Sequence, residues 1–168
     1  LPDPLTGQSL LVSPLQMAEA YATFAARGLH ADAYVVEEVR NSAGGVVYQA
    51  EPSPDQAFPT DVADEVSYAL QQVVQRGTGT AALALGRPAA GKTGTTDNYG
   101  DAWFVGYTPD LVVAVWVGYP DALRPMLTEF DGEPVAGGTL PALIWKEFVE
   151  KIDEDDDLSF DSPPYLGG

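Results

Sequence analysis

One short segment carries the residues best suited to chemistry. Residues 90–96 read Ala-Gly-Lys-Thr-Gly-Thr-Thr, so Lys92, one of three lysines in the sequence, has glycines close by on both sides and several hydroxyls after it. Such a segment combines a positive charge, several hydrogen-bond donors and a backbone that few side-chain atoms shield from a ligand. It therefore predicts a binding site for an anionic ligand.

Two glycine patterns in this region resemble nucleotide-binding motifs. Residues 86–93 fit the P-loop pattern letter for letter, but a P-loop needs a helix that begins at its lysine, and residues 94–100 are rich in turn formers. Residues 77–82 mimic a dinucleotide fingerprint, but helical periodicity precedes them where a strand is needed. A P-loop nucleotide-binding protein stays open as an alternative, although these flanking patterns disfavour it.

The competing interpretation places the lysine segment on a β-strand. Alternation would then send Lys92 and Gly94 to one face of the sheet, and Thr93 and Thr95 to the other. A groove along such a strand suits a carboxylate, because ammonium and hydroxyl donors line it. The two interpretations therefore predict different ligands, a phosphate for the P-loop and a carboxylate for the strand.

Composition limits the class of protein and the kinds of site. The 168 residues include 25 acidic and 8 basic side chains, and the net charge of -17 would repel a nucleic-acid backbone. No cysteine is present, and no apolar run reaches the roughly 18 residues of a membrane span. We expect a soluble segment with no metal, no cofactor and no nucleic-acid partner. The single histidine, His30, is predicted to be structural or incidental.

Two helices are predicted before the lysine segment. The first begins with a capping box at 13–16 and ends at Gly28, and its mostly apolar circumference predicts a core helix. The second is capped by Thr60 or Asp61, has apolar residues at helical spacing and ends at Gly77. Both would pack against the strands that follow.

Four strands and a third helix are also predicted. Residues 34–40 and 46–49 predict a hairpin, and residues 102–107 and 111–119 predict two antiparallel strands joined by a tight turn. The last of these strands has almost no polar alternation, which predicts burial in the middle of a sheet. Thr139 would cap the third helix. The apolar stripe predicted to lie on the sheet comprises Leu140, Leu143, Ile144, Phe148 and Ile152.

The segment around Lys92 resembles the transpeptidase domain of class A penicillin-binding proteins. The resemblance rests on residues 92–96 and on Asp-Ala-Trp-Phe-Val-Gly-Tyr-Thr-Pro at 101–109. Further segments resemble the same family in the family's order, at 13–18, 21–25, 76–81 and 115–119. A chance match of several ordered segments is far less common than a match of one short pattern.

The resemblance implies a fold and a place for the chain within it. We expect an α/β (α+β) fold of the penicillin-binding transpeptidase and serine β-lactamase type, with an antiparallel sheet flanked by helices. Residues 1–152 would be the C-terminal half of the transpeptidase domain, and residues 153–168 a solvated acidic tail that contains proline and glycine. The parent protein would carry a glycosyltransferase domain and a membrane anchor, and hold this segment at the extracytoplasmic face of the bacterial membrane.

The resemblance also implies a function and roles for the site residues. The family comprises DD-transpeptidases that cross-link the stem peptides of peptidoglycan through a serine acyl-enzyme and bind β-lactams. Lys92 would supply positive potential beside the nucleophile, and Thr93 and Thr95 would hydrogen-bond the carboxylate of the substrate or antibiotic. The Thr95 amide would complete the oxyanion hole, so Lys92 and Thr95 are the predicted catalytic residues. Gly94 and Thr96 complete the predicted substrate-binding set with Thr93 and Thr95.

The sequence departs from the family's pattern at the nucleophile. Neither Ser-x-x-Lys nor Ser-x-Asn occurs in the 168 residues, so this chain alone is predicted to be inactive. The serine is expected on an N-terminal half of the same domain, held as a separate chain or cleavage product, which would cover the otherwise bare strand edge at 113–117. A noncatalytic penicillin-fold module that binds the cell wall is the alternative.

Overall fold

Helices and antiparallel strands make up the structure, a computed structural model that describes residues 12–83, 87–152 and 158–164. The elements occur in the order α1 Pro14–Ala25, β1 Leu29–His30, β2 Glu38–Arg40, β3 Val46–Gln49, β4 Asp55–Gln56, α2 Thr60–Arg76, β5 Ala90–Thr95, β6 Asp101–Tyr107, β7 Val112–Gly118 and α3 Leu140–Lys151. Single 3₁₀ turns lie at Thr80–Ala82 and Asp97–Tyr99. None of the helices in these described ranges has the length and apolarity needed to cross a membrane.

Strands β5, β6 and β7 form the central antiparallel sheet in that order. Thr93 pairs with Phe104, which pairs in turn with Val115, so the register is continuous across the three strands. β6 is the middle strand, and its Ala102, Phe104 and Tyr107 are fully buried. Within the described ranges β7 is an edge strand, so the edge at 113–117 that was predicted to be bare has no strand beside it. Every residue of β7 is half-buried, and β6 is its one neighbour in the sheet within the described ranges.

Helices α1 and α3 cover opposite faces of this sheet. Tyr107 meets Tyr21 of α1 with ring centroids 6.3 Å apart, whereas Phe104 meets Trp145 of α3 at 5.5 Å. Because odd- and even-numbered residues of a strand point to opposite faces, these two contacts place the helices on opposite faces. Both helices also contact β7. Helices therefore cover both faces of this strand, which explains its lack of polar alternation.

The buried face of α3 differs from the predicted one. Its buried residues are Pro141, Ala142, Trp145 and Val149. Ile144 and Phe148, which were predicted to lie on the sheet, are 42% and 49% exposed. The contact between the large rings of Trp145 and Phe104 sets the rotation of the helix about its axis, and no periodicity within the helix encodes that contact.

The predicted capping box of α1 is confirmed. The Gln16 amide donates to Ser13 Oγ at 3.2 Å, and the Ser13 amide donates to Gln16 Oε1 at 2.9 Å. The helix ends earlier than predicted, because Arg27 and Gly28 adopt left-handed conformations with φ of 56° and 90°. Nor is α1 a core helix: Thr23 is the one residue of the helix that is buried.

The side-chain caps predicted for the other helices differ in outcome. The N-cap residue of α2 is Pro59, whose side chain accepts no hydrogen bond, but Asp61 Oδ1 accepts from the Val62 amide in the first turn at 2.9 Å. Thr139 precedes α3 as predicted, but its hydroxyl donates to the Ala136 carbonyl oxygen at 2.8 Å instead of capping the first turn. Gly77 ends α2 as predicted, and its amide donates to the Val73 carbonyl oxygen at 3.1 Å.

The predicted hairpin forms with a shorter first strand. β2 begins at Glu38 rather than at Tyr34 and pairs with β3. The Asn41 side chain organises the turn between them, because its Oδ1 accepts from the amides of Ala43 and Gly45 at 3.0 and 2.9 Å. β1 and β4 form a second two-stranded sheet.

The last described stretch of the chain, residues 158–164, packs back against α1 and β6. Phe160 meets Tyr107 edge to face at 5.6 Å, and Asp161 forms an ion pair with Arg27 at 2.6 Å. Most of this stretch of the predicted tail is nevertheless exposed, as at Leu158, Ser159 and Ser162, while the Phe160 ring packs on Tyr107. The rest of that tail, including its acidic run, lies outside the described residues, and the predicted domain boundary before it stays a prediction.

Candidate active site

β5 places the Lys-Thr-Gly segment at the outer edge of the sheet. It pairs with β6, and its other edge has no strand beside it among the described residues. Lys92 lies in the middle of β5 opposite Val105, and no helix begins there. The strand interpretation is confirmed. The P-loop alternative is wrong, because its lysine must stand at the N-terminus of a helix; Gly86, which opens that pattern, lies outside the described residues.

Lys92 lines a cleft of about 220 Å³ between β5, β6 and α1. The other lining residues are Val12, Met17, Tyr21, Thr93, Gly94, Trp103 and Val105. The exposed Lys92 side chain curls over its own strand, and its Nζ donates to the Thr93 carbonyl oxygen at 2.8 Å. A cation in the lining of a largely apolar cleft suits an anion that is attached to an apolar body.

The hydroxyls of Thr93 and Thr95 are each held by a residue from another part of the chain. Thr93 Oγ1 lies 2.8 Å from Thr78 Oγ1, in the turn that follows α2. Thr95 Oγ1 accepts from the Gly137 amide at 3.0 Å, just before α3. These bonds fix the two hydroxyls relative to the strand, so β5 presents preoriented polar groups.

Thr96 closes the turn between β5 and β6. Its Oγ1 accepts from the Asp101 amide at 2.8 Å, and its own amide donates to the Asp101 carbonyl oxygen at 3.0 Å. Within the turn, Asn98 and Tyr99 adopt left-handed conformations with φ of 58° and 57°. Asp101 Oδ1 also accepts from Trp116 Nε1 at 2.9 Å. The Thr96 hydroxyl is therefore used inside the turn, where it fixes the end of β5.

A pair of glycines packs directly on the backbone of β5. A Cβ atom at Gly137 would collide with the Trp103 carbonyl oxygen and would lie 2.6 Å from the Gly94 carbonyl oxygen. A Cβ atom at Gly138 would collide with the Thr78 carbonyl oxygen. Only glycine permits so close an approach of backbone to backbone. The pair thus brings the start of α3 against both the site strand and the turn after α2.

Sequence reasoning missed Thr78 and Gly137 as parts of the site. Each lies far along the chain from the threonine that it contacts, at a separation of 15 and 42 residues. The available signals were indirect. Residues 76–81 carry part of the family resemblance, and a glycine pair precedes the predicted cap at Thr139.

The tyrosines near the cleft are neutral structural groups. Burial raises the pKa of Tyr107 to about 12, and its hydroxyl lies 2.9 Å from Ser67 Oγ. Burial also raises the pKa of Tyr21, which lines the cleft. His30 lies on β1, does not line this cleft and makes a structural contact, with its Nδ1 3.0 Å from Thr23 Oγ1.

Comparisons with known sequences identify a family and several relatives. Residues 5–137 match the family model Transpeptidase, described as the penicillin binding protein transpeptidase domain. The chain is 41% identical over 162 residues to penicillin-binding protein 1A of Mycolicibacterium smegmatis and 37% identical over 164 residues to that of Mycobacterium tuberculosis. Each alignment covers 92% of this chain and 20% of the relative, so the chain spans about one fifth of the length of these curated relatives.

Solved structures share the fold. The penicillin-binding protein PonA1 from Mycobacterium tuberculosis matches with a TM-score of 0.80 and 36% identity, over 91% of this chain and 42% of that one. PonA1 in complex with penicillin V matches with a TM-score of 0.72 and 39% identity, over 80% and 36% of the two chains. The predicted penicillin-binding transpeptidase fold is confirmed. This chain, which contains part of the domain, belongs to the transpeptidase domain family of penicillin-binding proteins.

Proposed function

We propose that this chain forms the side of a peptidoglycan DD-transpeptidase that binds the substrate carboxylate and completes the oxyanion hole. The observation that carries the proposal is the outer edge of β5, which has no strand beside it among the described residues. There Lys92, Thr93 and Thr95 present an ammonium and two hydroxyls along one strand. The relatives support it, because they are penicillin-binding proteins and one solved relative holds penicillin V. Stem peptides of the cell wall and β-lactam antibiotics are the proposed ligands.

Each polar group of this edge has a proposed part in acyl transfer. The serine oxygen of the parent protein bonds to the carbonyl carbon of a donor peptide, and the terminal residue leaves with a proton on its nitrogen. The amine of a second peptide then takes the acyl group and releases the serine. The Thr95 amide stabilises the negative charge that develops on the carbonyl oxygen. Lys92 supplies positive potential, and the hydroxyls of Thr93 and Thr95 donate to the substrate carboxylate.

Local donors hold the anion against the overall charge of the chain. The net charge of -17 disfavours an approaching carboxylate, but salt screens such repulsion beyond about 8 Å at physiological ionic strength. Contacts with Lys92 and the two threonine hydroxyls act within that distance. Gly94 adds no side chain that would displace a peptide from the edge. Thr96 is the last residue of the proposed substrate-binding set, which comprises residues 93–96.

We also propose that an N-terminal half of the same domain supplies the serine. The 168 residues contain neither Ser-x-x-Lys nor Ser-x-Asn. β7 offers the attachment, because its apolar residues are half-buried and its outer edge has no neighbour in the described part of the chain. A strand from the other half would cover this edge. The parent would be anchored at the extracytoplasmic face of the membrane, and this chain alone would be inactive.

A fluorescent penicillin tests the proposal on the full-length parent protein. We expect covalent labelling that unlabelled penicillin V prevents, and no labelling of heat-denatured parent or of this chain alone. A folded, intact parent that takes no covalent label would contradict the enzyme proposal. That result would favour the noncatalytic module that binds cell-wall peptide.

A further inference from the structure

Thr78 is fixed directly beside Thr93. The amides of Gly77 and Gly79 both donate to the Val73 carbonyl oxygen, at 3.1 and 3.0 Å, so bonds to the end of α2 hold the residues on either side of Thr78. The two threonine hydroxyl oxygens lie 2.8 Å apart. The short turn after α2 thus delivers one hydroxyl to the site strand.

The direction of this hydrogen bond decides what Thr93 can do. A hydroxyl has one proton, so a Thr93 that donated to Thr78 would have no proton left for a ligand. Lys92 Nζ lies 3.5 Å from Thr93 Oγ1 and, as an ammonium, can only donate. With Thr78 as a second donor, the lone pairs of Thr93 face Thr78 and Lys92, and the Thr93 proton is free to point elsewhere.

The Thr95 hydroxyl also accepts a hydrogen bond, and here the direction of the bond is fixed because the donor is a backbone amide. The Gly137 amide donates to Thr95 Oγ1 at 3.0 Å, and a backbone N–H has no acceptor capacity. The Thr95 proton is therefore free for another acceptor. Gly137 is held in place by its close packing on the backbone of Gly94.

We infer that Thr78 is a positioning residue that donates to Thr93 and thereby directs the Thr93 proton to the carboxylate of the ligand. Thr78 acts through Thr93 and does not touch the ligand. The inference rests on the proposed function, because the carboxylate is the acceptor that the freed proton requires. It extends the carboxylate site from β5 to the turn after α2.

The test uses the full-length parent with benzylpenicillin and with benzylpenicillin methyl ester, which lacks the anion. Thr78→Val removes the hydroxyl at nearly constant side-chain size, and Thr78→Ser retains it. Thr80→Val, at an exposed position two residues further on, is the matched control. We expect Thr78→Val to slow acylation by the acid about tenfold and acylation by the ester about twofold or less, because a hydrogen bond to a charged acceptor is the stronger one. Thr78→Ser and Thr80→Val should keep wild-type rates.

A double-mutant cycle, together with the acid and the ester, distinguishes a positioning role of Thr78 from a general structural role. In a Thr93→Val background, Thr78→Val should cause no further loss with the acid. Equal losses with acid and ester, or additive losses in the cycle, would overturn the inference. A wild-type rate for Thr78→Val would overturn it while the proposed function stands. A wild-type parent that penicillin does not acylate would overturn both.

Discussion

The two outer strands of the central sheet differ in almost every chemical property. β5 carries glycine, lysine and threonine, whereas β7 carries valine, alanine and tryptophan with every residue half-buried. A polar edge of small residues can stay open for a ligand, whereas an apolar edge tends to pair with another strand. The difference matches the two kinds of partner proposed above: a peptide that binds and leaves at β5, and a protein strand that stays paired at β7.

Hydrogen exchange in the full-length parent tests both halves of this comparison at once. The outward-facing amides of β7 should exchange on the order of a thousandfold more slowly than those of β5, because a partner strand would bond only the former. The amides of β6, which has a strand on each side, are the internal reference. Bound penicillin should slow the β5 amides. Fast exchange along β7 would rule out the partner strand proposed for that edge.

Lys92→Ala in the parent tests the electrostatic role of the β5 edge. We expect acylation by penicillin to slow about a hundredfold, because a fixed positive group beside developing negative charge is lost. Lys146→Ala is the matched control, since that ammonium pairs with Glu150 on α3 at 3.7 Å. Thermal unfolding midpoints should match the wild type for Lys92→Ala. Undiminished acylation would remove Lys92 from the site.

Gly137→Ala tests whether close packing holds the β5 edge. The added Cβ atom would meet the backbone of Gly94 and Trp103, so we expect a loss of about 2–3 kcal/mol in the free energy of unfolding. Gly132→Ala is the control: its φ of 89° is strained for alanine, but its Cβ atom would have open space, and it should cost about 1 kcal/mol. If chemical denaturation gave equal losses in the free energy of unfolding for the two variants, the packing around Gly137 would have to relax to admit the methyl group.

Thr96→Val should have the smallest effect and sharpens the comparison within β5. Because the Thr96 hydroxyl bonds inside the turn, we expect a loss of about 1 kcal/mol in stability and an acylation rate within about twofold of wild type. Thr95→Val in the same assay should slow acylation about tenfold. If Thr96→Val were as slow as Thr95→Val, the Thr96 hydroxyl would have to bind the ligand.

The features that sequence predicted correctly depend on residues close together in the chain. The capping box at Ser13 is complete within a single turn, and Gly77 ends α2 where helical periodicity stops. Lys92 could be placed on a strand because turn formers follow it and a helix cannot start there. Short-range chemistry therefore determines the elements and the segment that carries the site.

The features that sequence missed depend on contacts between distant residues. Phe148 looks as suitable for the sheet as Trp145 until the partner ring of Phe104 is known. Thr78 and Gly137 join the site only because the fold brings two distant segments against β5. Similarly, the absence of polar alternation in β7 predicts that both of its faces are covered. It does not predict how many strands pair with its edges.

The return of the C-terminal stretch to α1 has a practical consequence for shortened forms of the domain. A version that stopped at the end of α3 would remove Phe160 from the ring of Tyr107 and Asp161 from the guanidinium of Arg27. The exposed ion pair contributes little, but the aromatic contact covers a side chain at the end of the central strand. Domains prepared for antibiotic screening should therefore include Phe160 and Asp161.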